Sequence, residues 1–545
     1  MDGARWNDGE PEPVPFGLGP WSGQVRRGGS LSDLEFCGVP VLRAVRAVLR
    51  DRDWRTAPAT VATVDRAAGG IRLTGEFLDE GGEDTVHADW TLQVSATDDA
   101  LTVDLTATTR TAFARNRFGL VVLHRPDEAG TALQVTHPDG STTATRFPVQ
   151  IAPHQPARDV AALTWSRPGV DVHVAFDGDV FEMEDQRNWT DASFKTYSTP
   201  LDVPFPVHLP AGATVRQRLV VRCATNATPA PVAPEPGPVT LVASGEPLPQ
   251  WATTAPVEGF QGPLLVELVL PDPDWETELA RARAAGRSLD VRLVTDDPAQ
   301  LGPAVQALAG TPLVRLGVHS LTTHVSTPEL WTALRAAAPP DVPLVAGARS
   351  HFTELNRTVA QLPADADGVV FASTPQMHDT GRDQVLEALA VQRLTARQAV
   401  ATAAGRPVHV GPVTLRARFN AVATTPWRPG RDRVARDPRV DAPAFAAWVV
   451  ASAAEFSVAG VASVTFGDVG GTAPDSLRRL ARFAGLERLH LGSALPQGVH
   501  VLAGRDAEQV RVLVANLAPT TRALELDGAE LVVEPGAVVE HVRRR

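Results

Sequence analysis

Three rhythms of apolar and polar residues divide the chain. Up to about residue 226, stretches such as "GGIRLTGEFL", "HADWTLQVSATDDALTVDLTATTRT", "NRFGLVVLH" and "ATVRQRLVVRC" alternate apolar with polar side chains and break at Asp, Gly and Pro. Alternation with period two marks strands that bury one face. Many short strands of this kind predict a large antiparallel β-sandwich over residues 1–226. The stretch "ATNATPAPVAPEPGPV" follows, rich in Pro and Ala and poor in bulky apolar residues. It predicts a semi-rigid linker, placed at residues 227–259.

From residue 260 the rhythm changes. "LLVELVL", "LDVRLVT", "LVRLGVHS", "PLVAGARSHF", "GVVFAST", "VHVGPVTL" and "ASVTFGD" are nearly continuous apolar runs, with helix-like segments such as "WETELARARAAG" between them. Apolar strands alternating with helices predict a parallel sheet buried on both faces. Seven strands are legible, and an eighth is expected within "LERLHL". A (β/α)8 TIM-type barrel over residues 260–486 is the natural reading. A doubly wound open sheet is the alternative, but no glycine-rich phosphate fingerprint follows any strand. Residues 487–545 return to alternation in "GVHVLAG", "QVRVLVANL" and "ELVVEPG", predicting a small C-terminal β-sandwich.

Charge and composition narrow the function. The 545 residues carry a net charge of −12, and no basic run precedes the terminal "RRR". That argues against nucleic acid or an anionic membrane as partner. No apolar run is long enough to span a bilayer, and the first residues lack a signal-peptide pattern. Two cysteines make neither a disulfide framework nor a zinc site. A reducing cytoplasm is expected, with no cofactor.

One compositional oddity points to a site. Lys195 is the only lysine among 51 basic residues, and Tyr197 is the only tyrosine. Arg and Lys are not interchangeable where a planar fork does not fit. A lysine that persists in so Arg-rich a chain marks a position with such a constraint. It stands in "FEMEDQRNWTDASFKTY", residues 181–197, beside Glu182, Glu184, Asp185, Arg187, Asn188, Trp189 and Asp191. Carboxylates, an amide, a guanidinium and an aromatic plate are the groups that grip a polyhydroxylated ligand. An interdomain polar network would explain the same density.

In a TIM-type barrel the active site lies at the carboxyl ends of the strands. Those ends supply His319, His351, Glu354, Asn356, His378, Asp379, Arg416, Asn420 and Asp468. Glu354 and Asp468, after the fourth and seventh legible strands, have the placement of an acid–base pair. Asp185, Arg187, Asn188, Trp189, Asp191, Lys195, Tyr197, His319, His351, Asn356, His378 and Asn420 are the expected substrate-binding residues. His319, His351 and His378 could instead hold a metal, but no His-x-His or His-x-x-x-His spacing occurs, so no metal is expected. No G-x-S-x-G elbow is present.

The 17-residue stretch closely resembles the signature of the D-apionate lactonase family. "VRAVLRDRDWRT", "NRFGLVVLH", "FPVQIAPHQP", "FTELNR" and "GPVTLRARFN" look like that family as well, and the resemblance covers essentially the whole chain. It departs at "FGDVGG", where Asp468 stands in place of a Glu. The resemblance implies hydrolysis of the lactone of a branched-chain sugar acid, D-apionate, with a small sugar lactone as the ligand. It assigns no catalytic residue. A mechanism consistent with the residues is attack of water assisted by Glu354 or Asp468, with Lys195, Arg187 or Arg349 stabilising the oxyanion. Two further readings stay open: a TIM-barrel glycoside hydrolase using the same carboxylates, and a non-catalytic carbohydrate-binding protein.

Overall fold

The computed structural model describes residues 3–67, 69–229, 237–425 and 436–545. The N-terminal domain is a sandwich of two nine-stranded antiparallel sheets. The strands alternate as expected. On Val39–Asp51, Val45 and Leu49 enter the sandwich core while Ala44 and Val48 turn to the opposite face. On Phe194–Tyr197, Phe194 enters the core and Tyr197 joins Ala44, Val121 and Leu123 on that opposite face. Lys195 shares the face of Tyr197 because side chains repeat every two residues along a strand. This second face of the sheet is covered by the barrel. Arg43 donates to Glu387 Oε2 at 2.6 Å, and Arg46 is ion-paired with Asp379. Asn420 Nδ2 donates to the Asp53 carbonyl at 2.6 Å.

The barrel is closed and has eight parallel strands: Gln250–Thr253, Leu264–Val269, Leu289–Val294, Leu313–His319, Leu344–Gly347, Gly368–Ser373, Val408–Val413 and Val461–Phe466. Two expectations are corrected here. The segment 227–259 is not simply a linker: Gln250–Thr253 is the first barrel strand and pairs in parallel with the last. Leu241–Pro247 belongs to the C-terminal sheet, where it pairs with Glu487–Leu491. That pairing also removes "LERLHL" from the barrel. The first strand is only four residues long, too short to show a period, which is why the sequence hid it. Every later strand therefore moves up by one, and Glu354 and Asp468 follow the fifth and eighth strands. Residues 230–236 of the expected linker lie outside the described residues.

The barrel wall follows the apolar pattern. Leu268, Val291, Leu293, Leu316 and Val318 pack outward against Leu279, Leu301, Leu330 and Leu334 of the surrounding helices. The inward positions depart from it. Asp290 is fully buried and bridges Arg292 at 2.9 Å and Arg315 at 2.8 Å. Gly317 leaves the space this network needs, since a Cβ there would lie 3.2 Å from Arg292 Nη1 and 2.9 Å from the Val345 carbonyl. His409 Nδ1 lies 2.9 Å from Ser463 Oγ. Charges in so dry a space persist only when paired and hydrogen-bonded.

The C-terminal domain places a five-stranded sheet against the two-stranded ribbon Arg522–Leu526 and Ala529–Val533. One core, including Val501, Val512, Leu524 and Val533, lies between them. No helix among the described residues is long and apolar enough to cross a membrane.

Candidate active site

The segment between Phe181–Asp185 and Phe194–Tyr197 leaves the sandwich as a short 3-10 turn, Gln186–Trp189, and plugs the carboxyl-end mouth of the barrel. The contacts are specific. Thr353 Oγ1 donates to the Asn188 carbonyl at 2.7 Å, and Thr190 Oγ1 lies 3.5 Å from Ser373 Oγ at the end of the sixth barrel strand. The Trp189 ring stands 5.7 Å from the ring of His351 and 5.8 Å from that of His378. Its indole N–H donates to Glu184 at 2.9 Å.

Two polar clusters meet at this plug. In the upper one, His378 Nδ1 lies 2.6 Å from Asp191 Oδ2, and Gln384 Nε2 donates to the other carboxylate oxygen at 2.8 Å. Burial pushes the Asp191 carboxyl up to about 8, although Lys195, Arg43 and Arg46 act against it. Burial, followed by Lys195 and Arg50, holds His378 well below the usual imidazole range. The pair is therefore uncharged near neutrality. Lys195 forms a 2.5 Å ion pair with Glu184 and lies 4.7 Å over the Tyr197 ring. Burial would raise Glu184, but Lys195, Arg357 and the Trp189 N–H together outweigh it and take the carboxyl down to about 2. Tyr197 donates to Glu182 at 2.5 Å.

The lower cluster lies inside the barrel mouth. Glu267, on the second strand, accepts from Arg418 at 2.7 Å and from Arg349 at 3.2 Å. Burial opposes the charge, yet the two guanidiniums hold Glu267 below the usual carboxylate range. Arg349 also lies 3.1 Å from His324 Nδ1 and stacks 4.1 Å over the Phe419 ring. His319 is fully buried at the end of the fourth strand, and neither ring nitrogen has a hydrogen-bond partner among the described residues. His351 Nε2 is likewise buried and unpartnered.

The expected residues thus separate into groups. Trp189, Asp191, Lys195, Tyr197, His351 and His378 come together at the interdomain mouth, and His319 lies below them. Asp185, Arg187, Asn188 and Asn356 are turned elsewhere. Arg187 forms a 2.7 Å ion pair with Asp185 and donates to the Pro148 carbonyl, also at 2.7 Å. Asp185 accepts from the Ala152 N–H, and Asn356 donates to Asn188 and to the Ile151 carbonyl. These four clamp the loop 147–152 between the domains. Asn420 is spent on Asp53. Glu354 accepts from Ser350 Oγ at 2.7 Å and from the His351 N–H at 3.0 Å, closing a capping box at the start of its own helix. Asp468 accepts the Leu415 N–H at 2.7 Å. Glu354 is therefore tied to its own helix start and Asp468 to the loop after the seventh strand, and burial raises both.

Sequence reasoning missed Glu267, His324, Gln384 and Arg418. A signal existed for Glu267: a lone carboxylate inside the apolar run "LLVELVL" occupies an inward position. For Gln384 there was none, because its partner Asp191 is 193 residues distant in sequence.

Residues 1–226 match the family model described as D-apionate lactonase, N-terminal domain, and residues 262–475 match D-apionate lactonase, TIM barrel domain. A D-apionate lactonase of Brucella anthropi is 29% identical over 579 aligned residues, covering 94% of this chain and 94% of that protein. Among solved structures, a GH30 endoxylanase from Clostridium papyrosolvens C71 aligns at 9% identity over 57% of this chain and 100% of its own, with a TM-score of 0.39. A putative aldose 1-epimerase from Escherichia coli K12 aligns at 12% identity over 39% of this chain and 99% of its own, with a TM-score of 0.30.

Proposed function

Since the chain belongs to the D-apionate lactonase family, we propose that it opens D-apionolactone or a closely related sugar lactone, and that Asp191 and His378 activate the attacking water. The observation that carries this reading is the 2.6 Å contact between His378 Nδ1 and Asp191 Oδ2, made across the two domains at the barrel mouth. With Asp191 ionised, a neutral imidazole directs its Nδ1–H at the carboxylate and keeps the Nε2 lone pair free as a base. Gln384 fixes the carboxylate.

The reaction then balances simply. His378 Nε2 takes a proton from water as the water oxygen bonds to the lactone carbonyl carbon. The carbonyl π pair moves onto oxygen. Collapse of this intermediate breaks the ring C–O bond, and the ring oxygen takes the proton back from His378. The hydroxy acid then loses its acidic proton to solvent. Trp189 supplies a plate for the apolar ring face, and Lys195, held by Glu184, supplies a compact cation beside it. Glu354 acts through His351, whose backbone N–H it holds, and is a positioning residue in this reading. Asp468 positions the loop after the seventh strand through the Leu415 N–H.

The test is a panel of sugar-derived γ-lactones that includes D-apionolactone, followed by acid release at constant pH. Acceleration over the buffer rate supports the reading. No acceleration with any member would overturn it.

A further inference from the structure

The lower cluster holds more positive charge and more unmet donors than a finished protein interior tolerates. Glu267 is paired with both Arg349 and Arg418, and Asp290 with both Arg292 and Arg315. Among the described residues, Arg349 Nε, both nitrogens of His319 and His351 Nε2 are buried without a partner. A buried donor left unpaired is costly, and a neutral imidazole donates from one of its two nitrogens, so the donors of this set call for an acceptor. His351 shows which kind. In the capping box its side chain is turned to the Glu354 backbone N–H. With Nδ1 on that side and Nε2 unpartnered among the described residues, the tautomer that suits the neutral ring carries its proton on Nε2. Burial, with Arg418 and His324 nearby, holds this imidazole at about 3, so it stays a neutral donor throughout the physiological range. The crevice in front of it is lined by His351, Ser373, Thr414, Arg418 and Phe419. Ser373 also lies beside Thr190 of the plug, and the His351 ring stands 5.7 Å from that of Trp189, so the crevice borders the plug.

From this arrangement we infer that the barrel mouth is a carboxylate subsite, with His351 Nε2–H and the Arg418 guanidinium as its donors, and that it takes the carbonyl oxygen of the lactone and then the carboxylate of the opened acid. This rests on the hydrolase reading above and adds the orientation of the substrate. The ring carbonyl points down into the barrel, and the ring itself lies under Trp189. The negative charge that develops on oxygen meets donors already in place, which lowers the barrier without reorganisation. The same donors then hold the product anion, so the acid should inhibit the enzyme where its neutral polyol does not.

Titration calorimetry with D-apionate and D-erythronate, and with the neutral polyols apiitol and erythritol, tests the subsite. Parent protein, His351→Asn and Arg418→Gln are compared, with melting curves for each. Asn at 351 can still cap the helix but cannot reach as far, so this variant carries the test even where Arg418→Gln unfolds. The expected result is saturable binding of a carboxylate, at least tenfold tighter than its polyol, with that preference reduced at least tenfold in a folded variant. Neither carboxylate outbinding its polyol, or a preference unchanged in His351→Asn, overturns the subsite. Lactone hydrolysis by the same parent sample separates the two readings. Turnover without carboxylate preference overturns the subsite alone. Carboxylate preference without turnover overturns the hydrolase reading and leaves the subsite standing.

Discussion

Asp191 and His378 come from different domains and meet at 2.6 Å. Asp191 leaves the sandwich on the plug after Trp189, and His378 follows the sixth barrel strand. The site is therefore complete only when the two domains are docked. Asp191→Asn keeps the size of the side chain but cannot stabilise the imidazole that accepts a proton. Its kcat should fall on the order of a hundred- to ten-thousandfold, with KM and the melting temperature little changed. Steady-state kinetics beside circular dichroism decides this, and a variant with parental kcat removes the pair from the reaction.

Activity should rise with pH. Asp191 has its carboxyl raised to about 8 by burial, so below that value the carboxylic acid form predominates and its proton occupies the Nδ1 contact. Nε2 then carries the imidazole proton and cannot act as a base. Above about 8 the carboxylate forms, Nδ1 carries the proton, and Nε2 is free. A log kcat/KM profile should climb with unit slope and level off near that value. A profile flat from pH 6 to 9, after subtraction of spontaneous hydrolysis, contradicts the assignment.

Lys195→Arg should cost activity and not stability. The ammonium is held between the Glu184 carboxylate and the Tyr197 ring, within a buried layer that also contains Asp191. A guanidinium keeps the charge but is wider and planar, and displacing neighbouring groups by about an ångström can cost on the order of a hundredfold in rate. The melting temperature should move by no more than about 2 °C. Kinetics equal to the parent would show that the position tolerates either cation.

Glu354→Gln separates positioning from catalysis. Glu354 receives Ser350 Oγ and the His351 N–H, and Gln can still accept both. A stability loss of about 1 kcal/mol, typical of a weakened helix cap, and a kcat loss below tenfold are expected. A loss beyond a hundredfold at an unchanged melting temperature would restore the general-base role that the sequence suggested.

Chelation should leave turnover intact. His378 is engaged by Asp191 and His351 by its own helix. Among the described residues, the His, Cys, Asp and Glu group close enough to share an ion is Glu76, His87 and Asp89 on the sandwich, away from the barrel mouth. Dialysis against a chelator followed by assay, with zinc or manganese added back, checks this. Activity that disappears and returns with metal reverses the expectation.

The sequence by itself determined what depends on local period. The alternation of "NRFGLVVLH" set which residues line the sandwich core, and the same period placed Lys195 and Tyr197 on one face. The strand ends marked His319, His351 and His378 as mouth residues. The rarity of Lys pointed to the segment that plugs the barrel. What it could not determine was which polar groups meet which. Asp185, Arg187, Asn188 and Asn356 carry the chemistry of a sugar site, yet they satisfy one another and the loop 147–152. Glu354 has the placement of a base, yet its carboxylate is taken by its own helix terminus. Glu267 reads as an interruption of an apolar strand until barrel closure brings Arg349 and Arg418 onto it. A buried charge or donor is defined by its partners, and here Asp191 and Gln384 lie 193 residues apart along the chain. Only the closing of the barrel and the docking of the sandwich onto its mouth bring them within hydrogen-bonding distance, and only there does desolvation become strong enough to set their protonation.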